Sequence, residues 1–139
     1  MAVRAKVLMI DDDRDCRTSV KVLLEDHGYT VIEAEGGKEG LRQVVEHRPD
    51  LILLDVMMEC DCEGYGVTQA LRHQDAFAEF RNVPIIMLSS IQESPDELFA
   101  MCPESEMIRP DRYLKKPLDT SVLLEAVETS LATRPRQAV

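Results

Sequence analysis

Residues 51–55 read Leu51-Ile52-Leu53-Leu54-Asp55, four apolar residues in a row followed by an acid. A strand with one wet face alternates apolar and polar residues. A continuous apolar run of this length instead fits a strand buried on both faces, as in the middle of a parallel sheet. The abrupt change to Asp55 marks where that strand leaves the core. Just upstream, Leu41, Val44, Val45 and Arg48 are spaced to line a helix, and Pro49 stops it.

The same alternation continues in both directions. Towards the N-terminus, Lys6-Val7-Leu8-Met9-Ile10 predicts a strand that ends in Asp11-Asp12-Asp13. Cys16, Val20, Leu23, Leu24 and His27 then fall on one helical face, and Gly28 closes that helix. Thr30-Val31-Ile32-Glu33-Ala34 is β-branched and predicts another strand, broken by Gly36-Gly37. Towards the C-terminus, Val67, Ala70 and Leu71 begin a third helix, and Asp75 to Phe80 either extends it or folds back. Val83-Pro84-Ile85-Ile86-Met87-Leu88 predicts a fourth strand, ending in Ser89-Ser90. Ser94-Pro95-Asp96-Glu97 carries a helix-start pattern, and Cys102 to Pro110 reads as a loop. Tyr113-Leu114-Lys115 predicts a short fifth strand. Val122, Leu123, Ala126, Val127 and Leu131 predict a last amphipathic helix, with a polar tail from Thr133 expected to fray. Five strands alternating with five helices imply an α/β fold, a parallel sheet covered on both faces.

The chain has 139 residues, enough for one domain across 1–139 with a core over about 5–132. Its formal net charge of -10 argues against general affinity for nucleic acid or anionic lipid and favours basic partners or cations. No apolar run approaches the ~20 residues needed to span a bilayer, and no secretory signal pattern opens the chain, so a cytoplasmic location is expected. Cys16, Cys60, Cys62 and Cys102 are too sparse for a disulfide scaffold and read as thiols in a reducing compartment.

In open α/β sheets, ligands gather at the carboxyl ends of the strands. Here those ends deliver Asp11, Asp12 and Asp13, then Asp55, then Ser89, then Lys116 followed by Pro117. Crowded carboxylates repel and call for a cation or raised pKa values, and a hard oxygen set suits Mg²⁺ or Mn²⁺. Asp55 can act as a nucleophile towards phosphorus, with Lys116 stabilising charge on the transferring oxygens and Ser89 donating to one of them.

The ordered set Ile10-Asp11-Asp12, Leu54-Asp55, Leu88-Ser89-Ser90 and Lys116-Pro117 closely resembles the receiver domain of two-component response regulators. The resemblance runs from about Lys6 to Leu131. It implies a flavodoxin-like, doubly wound fold with sheet order 2-1-3-4-5. It also implies a phosphoryl group on Asp55, taken from a sensor histidine kinase or phosphotransfer protein and passed on as a signal by protein contact, without enzymatic turnover. Asp12, Asp55 and the backbone carbonyl of Met57 would bind the metal, Asp11 would act through a water, and Tyr113 occupies the position of a switching aromatic. Asp13 lies one place beyond the family's acidic pair.

Several features depart from the family pattern. Glu59 stands where the family usually has Pro, and the 58–64 loop carrying Cys60 and Cys62 is one residue longer than usual. The segment between Ser90 and Lys116 is also long. Met57 and Ile91, apolar at positions that tune loss of the phosphoryl group, predict a long-lived phosphoryl state. Two other readings stay open. Asp11 and Asp13 fit the D-x-D spacing of Mg²⁺-dependent phosphohydrolases, and the same fold can serve as a docking module that takes no phosphate.

Overall fold

The computed structural model describes residues 5–55, 67, 70–71, 74–80, 82–89, 112–115 and 119–133. Strand β1 (Lys6–Ile10) leads into helix α1 (Arg14–Asp26), β2 (Thr30–Ala34), α2 (Gly37–His47) and β3 (Leu51–Asp55). A 3₁₀ segment at Asp75–Phe80 precedes β4 (Ile85–Ser89) and β5 (Arg112–Lys115), and α3 (Thr120–Thr133) follows. The strands form one parallel sheet in the order β2-β1-β3-β4-β5. Strand β3 lies at its centre, where its unbroken apolar run predicts it, and all five of its residues are buried.

Alternate residues of each strand serve opposite faces. Leu8, Ile10, Ile52, Leu54, Ile85 and Met87 pack on one side with Val44 of α2, Val67, Leu71 and Phe80. Val7, Met9, Leu51, Leu53, Ile86 and Leu88 pack on the other with Val20 and Leu24 of α1 and Leu123, Ala126 and Val127 of α3. The sheet is therefore covered on both faces. The third expected helix is seen at 67 and 70–71, both buried and helical. The rest of that helix, the helix start at Ser94–Glu97, the loop around Cys60 and Cys62 and the fraying tail lie outside the described residues. The Asp75–Phe80 segment folds as a separate 3₁₀ turn with Phe80 driven into the core.

Local chemistry sets the element ends. Asp13 caps α1 by accepting from the Asp15 amide at 3.0 Å. At the other end His27 is the C-cap and Gly28 takes φ 92°, a left-handed conformation that glycine adopts without strain. The Tyr29 amide reaches Leu24 O at 3.0 Å and the Gly28 amide reaches Glu25 O at 3.1 Å, which completes a Schellman closure. Asp119 caps α3 through its Oδ1, bonded by the Ser121 amide at 2.9 Å.

The helical stripes differ in detail from the periodicity reading. On α1 the buried residues are Arg17, Val20 and Leu24, while His27 is exposed because it lies past the last turn. On α2 they are Gly37, Gly40 and Val44; Val45 points to solvent and Arg48 is an exposed C-cap at φ 50°. Gly40 on that face leaves room for Ile10 of β1, whose Cδ1 lies 2.4 Å from where a Cβ would stand. Val122 is likewise exposed on α3, where Ser130 joins Leu123, Ala126 and Val127 in the buried set. Strand β4 begins two residues later than Val83, at Ile85; Pro84, which has no amide hydrogen to donate, still accepts from the Ile52 amide at 3.0 Å.

Candidate functional site

Parallel pairing brings every carboxyl end of the sheet to one edge. Ile10 is in register with Leu54, so the next residues along, Asp11 and Asp55, emerge side by side. Asp55 is itself paired with Leu88, and Ser89 with Lys115. The outcome is a cluster in which Asp11, Asp12 and Asp55 each offer a carboxylate oxygen, all within 4.8 Å of one another. Asp11 and Asp55 are buried, at 0% and 3% exposure, and Asp12 is exposed at the rim.

The turn after β1 is held from several directions. The Asp11 amide donates to Ala34 O of β2 at 3.1 Å. Asp11 Oδ1 accepts from the Asp13 amide at 2.9 Å. The Asp11 carbonyl accepts from Arg17 Nη1 at 2.7 Å. The acid triplet thus divides by role: Asp11 and Asp12 meet Asp55, and Asp13 is committed to capping α1. The D-x-D pairing of Asp11 with Asp13 is not the pairing that meets Asp55.

Like charges held this close repel, by roughly 3 kcal/mol per pair at an effective dielectric of about 20. A hard cation in their midst would relieve that repulsion. The donor set is all oxygen and comes from two separate strand ends. It fits Mg²⁺ or Mn²⁺, which favour carboxylate, carbonyl and water ligands.

Ser89 ends β4, and Tyr113 lies in β5 in register with Met87. Lys116, the residue after β5, and Met57, two beyond Asp55, lie outside the described residues. Periodicity passed over Arg17. It is buried on the apolar stripe of α1, at i, i+3 and i+7 with Val20 and Leu24. A charged residue on a core stripe is the sequence signal that marks it, since an unpaired charge is not tolerated there.

Residues 7–128 match the family model of the response regulator receiver domain. The chain belongs to this family. It is 28% identical to Protein PilH of Pseudomonas aeruginosa over 128 residues, covering 92% of this chain and 98% of PilH. Against Protein PilG of the same organism identity is 32%, covering 88% of this chain and 84% of PilG. The solved structure of the chemotaxis response regulator CheY4 of Vibrio cholerae superposes with a TM-score of 0.75 at 32% identity, covering 91% of this chain and 98% of that one. Other curated relatives are longer proteins, and the chain spans from 17% to 51% of their length. The acid cluster of this receiver domain, with Ser89, Tyr113 and Lys116, lies wholly inside the matched span. Among the described residues no helix is long and apolar enough to cross a membrane.

Proposed function

We propose that this receiver domain works as the phosphoacceptor of a two-component response regulator. In this reading it accepts a phosphoryl group on Asp55 from a sensor histidine kinase or a phosphotransfer protein, in the cytoplasm. The observation that carries the reading is the convergence of Asp11, Asp12 and Asp55 within 4.8 Å, in a chain of the receiver family.

A carboxylate oxygen of Asp55 attacks the phosphorus of a phosphohistidine. The new bond is an acyl phosphate O–P bond, the P–N bond breaks, and the imidazole leaves with its electron pair and takes up a proton. Asp12, Asp55 and the Met57 carbonyl would hold a Mg²⁺ ion directly, with Asp11 acting through a water. That ion, when bound, supplies positive charge that screens the acids and stabilises the transferring oxygens. Lys116 would add a second positive charge to stabilise the transferring oxygens, and the Ser89 hydroxyl would donate to one of them. Burial of Asp55 limits the approach of water, so hydrolysis of the acyl phosphate is slow. The domain carries out only its own phosphorylation and slow dephosphorylation. The change in charge at Asp55 alters Ser89 and Tyr113, and the signal leaves through protein contacts. The acidic surface, at net charge -10, disfavours nucleic acid and anionic membrane as direct partners.

Intact-mass spectrometry after incubation with Mg²⁺ and a small phosphodonor tests the reading. The wild type should gain one phosphoryl group, and Asp55→Asn should gain none. A wild type that stays unmodified would favour a docking module, and steady release of phosphate from an ester would favour the phosphohydrolase reading.

A further inference from the structure

We propose that Arg17 is a positioning residue for the acid cluster, fixing the angle between Asp11 and Asp12 and thereby setting the affinity for the cation. The inference rests on the metal-dependent reading of the site.

The Asp11 carbonyl belongs to the rigid peptide unit that joins Asp11 to Asp12. Clamping that oxygen fixes ψ of Asp11 and φ of Asp12, the two torsions that orient one carboxylate relative to the other. Arg17 Nη1 provides the clamp at 2.7 Å, in a buried, charge-assisted bond. The guanidinium is held in turn. Its Nε lies 3.4 Å from Glu33 Oε1 and its Nη2 3.6 Å from Glu35 Oε1, both on or just after β2. Glu33 also meets Lys21 Nζ at 3.6 Å. The Arg17 side chain is only 8% exposed and Glu33 33%, so this is the protected pair; Glu35, at 76%, contributes little.

Burying a guanidinium carries a desolvation cost of several kcal/mol, and a buried ion pair is often no more stabilising than an apolar pair of the same size. General stability is therefore a weak reason for an arginine here. Its planar fork offers a specific one. Only a guanidinium presents several N–H groups at fixed angles, able to reach a carbonyl on one side and carboxylates on the other. A lysine ammonium keeps the charge and loses the fork.

The sign of the effect separates positioning from simple electrostatics. Arg17 is a positive charge beside the acids, so on charge alone its removal should tighten cation binding. If Arg17 acts by orienting Asp11 and Asp12, its removal should weaken binding.

Calorimetric titration with Mg²⁺ alone, on wild type, Arg17→Gln and Arg17→Lys, tests this, with Val127→Ala as a core-destabilised control remote from the site. Arg17→Gln should bind Mg²⁺ about tenfold more weakly, the usual effect of losing a group that orients a ligand. Arg17→Lys should fall between wild type and Arg17→Gln. Val127→Ala should lower the melting temperature and leave Mg²⁺ affinity unchanged. The rate of phosphorylation by a small phosphodonor should fall at limiting Mg²⁺ and recover to within about threefold of wild type at saturation, the mark of a lost binding contribution. Backbone amide shifts of Asp12 and Asp13 should move in both Arg17 variants without metal, more than in Val127→Ala. Mg²⁺ binding by folded Arg17→Gln as tight as wild type, or tighter, overturns the proposal. Should Arg17→Gln fail to fold, Arg17→Lys decides, with wild-type affinity as the refuting result. A wild type that binds no Mg²⁺ would instead overturn the reading of the site itself.

Discussion

Gly40 lies on the buried face of α2, directly over Ile10 of β1. A Cβ placed on it would sit 2.4 Å from Ile10 Cδ1, 3.0 Å from Cγ1 and 3.4 Å from Cγ2. Ile10 is 0% exposed, and its β-branched side chain has few rotamers to retreat into. Two terms oppose each other in Gly40→Ala. Replacing a mid-helix glycine gains about 1 kcal/mol in helix propensity. Overpacking a full core costs about 1–3 kcal/mol. With the closest contact 2.4 Å and a second at 3.0 Å, the packing term wins, and a net loss of about 1 kcal/mol is expected. For a chain of this size that corresponds to a fall in Tm of roughly 3–5 °C. The companion change Ile10→Val removes Cδ1, the atom of the closest contact, and alone costs about 0.5–1.5 kcal/mol. In its presence Gly40→Ala should become neutral or stabilising, a coupling of about 1 kcal/mol between the two sites. The chain has no Trp, so urea unfolding followed by far-UV circular dichroism is the suitable assay. Ile10 immediately precedes Asp11, so Gly40→Ala should also weaken Mg²⁺ binding, and Ile10→Val should restore it. A Gly40→Ala variant more stable than wild type, or one whose effect is the same with and without Ile10→Val, would refute the close-packing argument.

Other perturbations separate roles that neighbouring residues take. Asp13→Ala should cost about 1 kcal/mol through loss of the α1 cap and leave Mg²⁺ affinity intact, whereas Asp12→Asn should weaken Mg²⁺ binding; equal losses of affinity in calorimetry would contradict the division of the triplet. Arg48→Gly should stabilise the fold by about 0.5–1 kcal/mol, because Arg48 holds φ 50° and its ion pair with Glu79 is exposed on both sides; a lower urea midpoint would show that the contact outweighs the backbone strain. The phosphoryl group on Asp55 should persist longer in the wild type than in a variant with polar residues at Met57 and Ile91, read by mass against time after removal of the phosphodonor; an equal or shorter lifetime would dismiss the apolar shield.

The alternation of strands and helices, the central place of Leu51–Asp55 and the acids at strand ends can all be read without coordinates. These are legible because they follow from local periodicity and from the abrupt change between apolar runs and charge. Caps were legible in part. Gly28 reads as a stop, and Asp13, one place beyond the acidic pair, shows its capping role once its amide partner is seen. The resemblance had singled out Asp11 and Asp12 from the three consecutive acids; the fold supplies the physical reason they meet Asp55, the register of β1 against β3, a contact between residues more than forty apart in the chain. The same holds for the packing of α2. Gly40 lets it approach Ile10 of β1 while Val45 faces solvent, and no helical wheel of α2 alone contains the surface it packs on. Arg17 is the clearest case. Its charge predicts a solvated position, and it is buried where the Asp11 carbonyl and the Glu33 carboxylate of β2 take up its N–H groups. Those partners are assembled by the fold, so their effect on a side chain 16 residues away from Glu33 is decided in three dimensions.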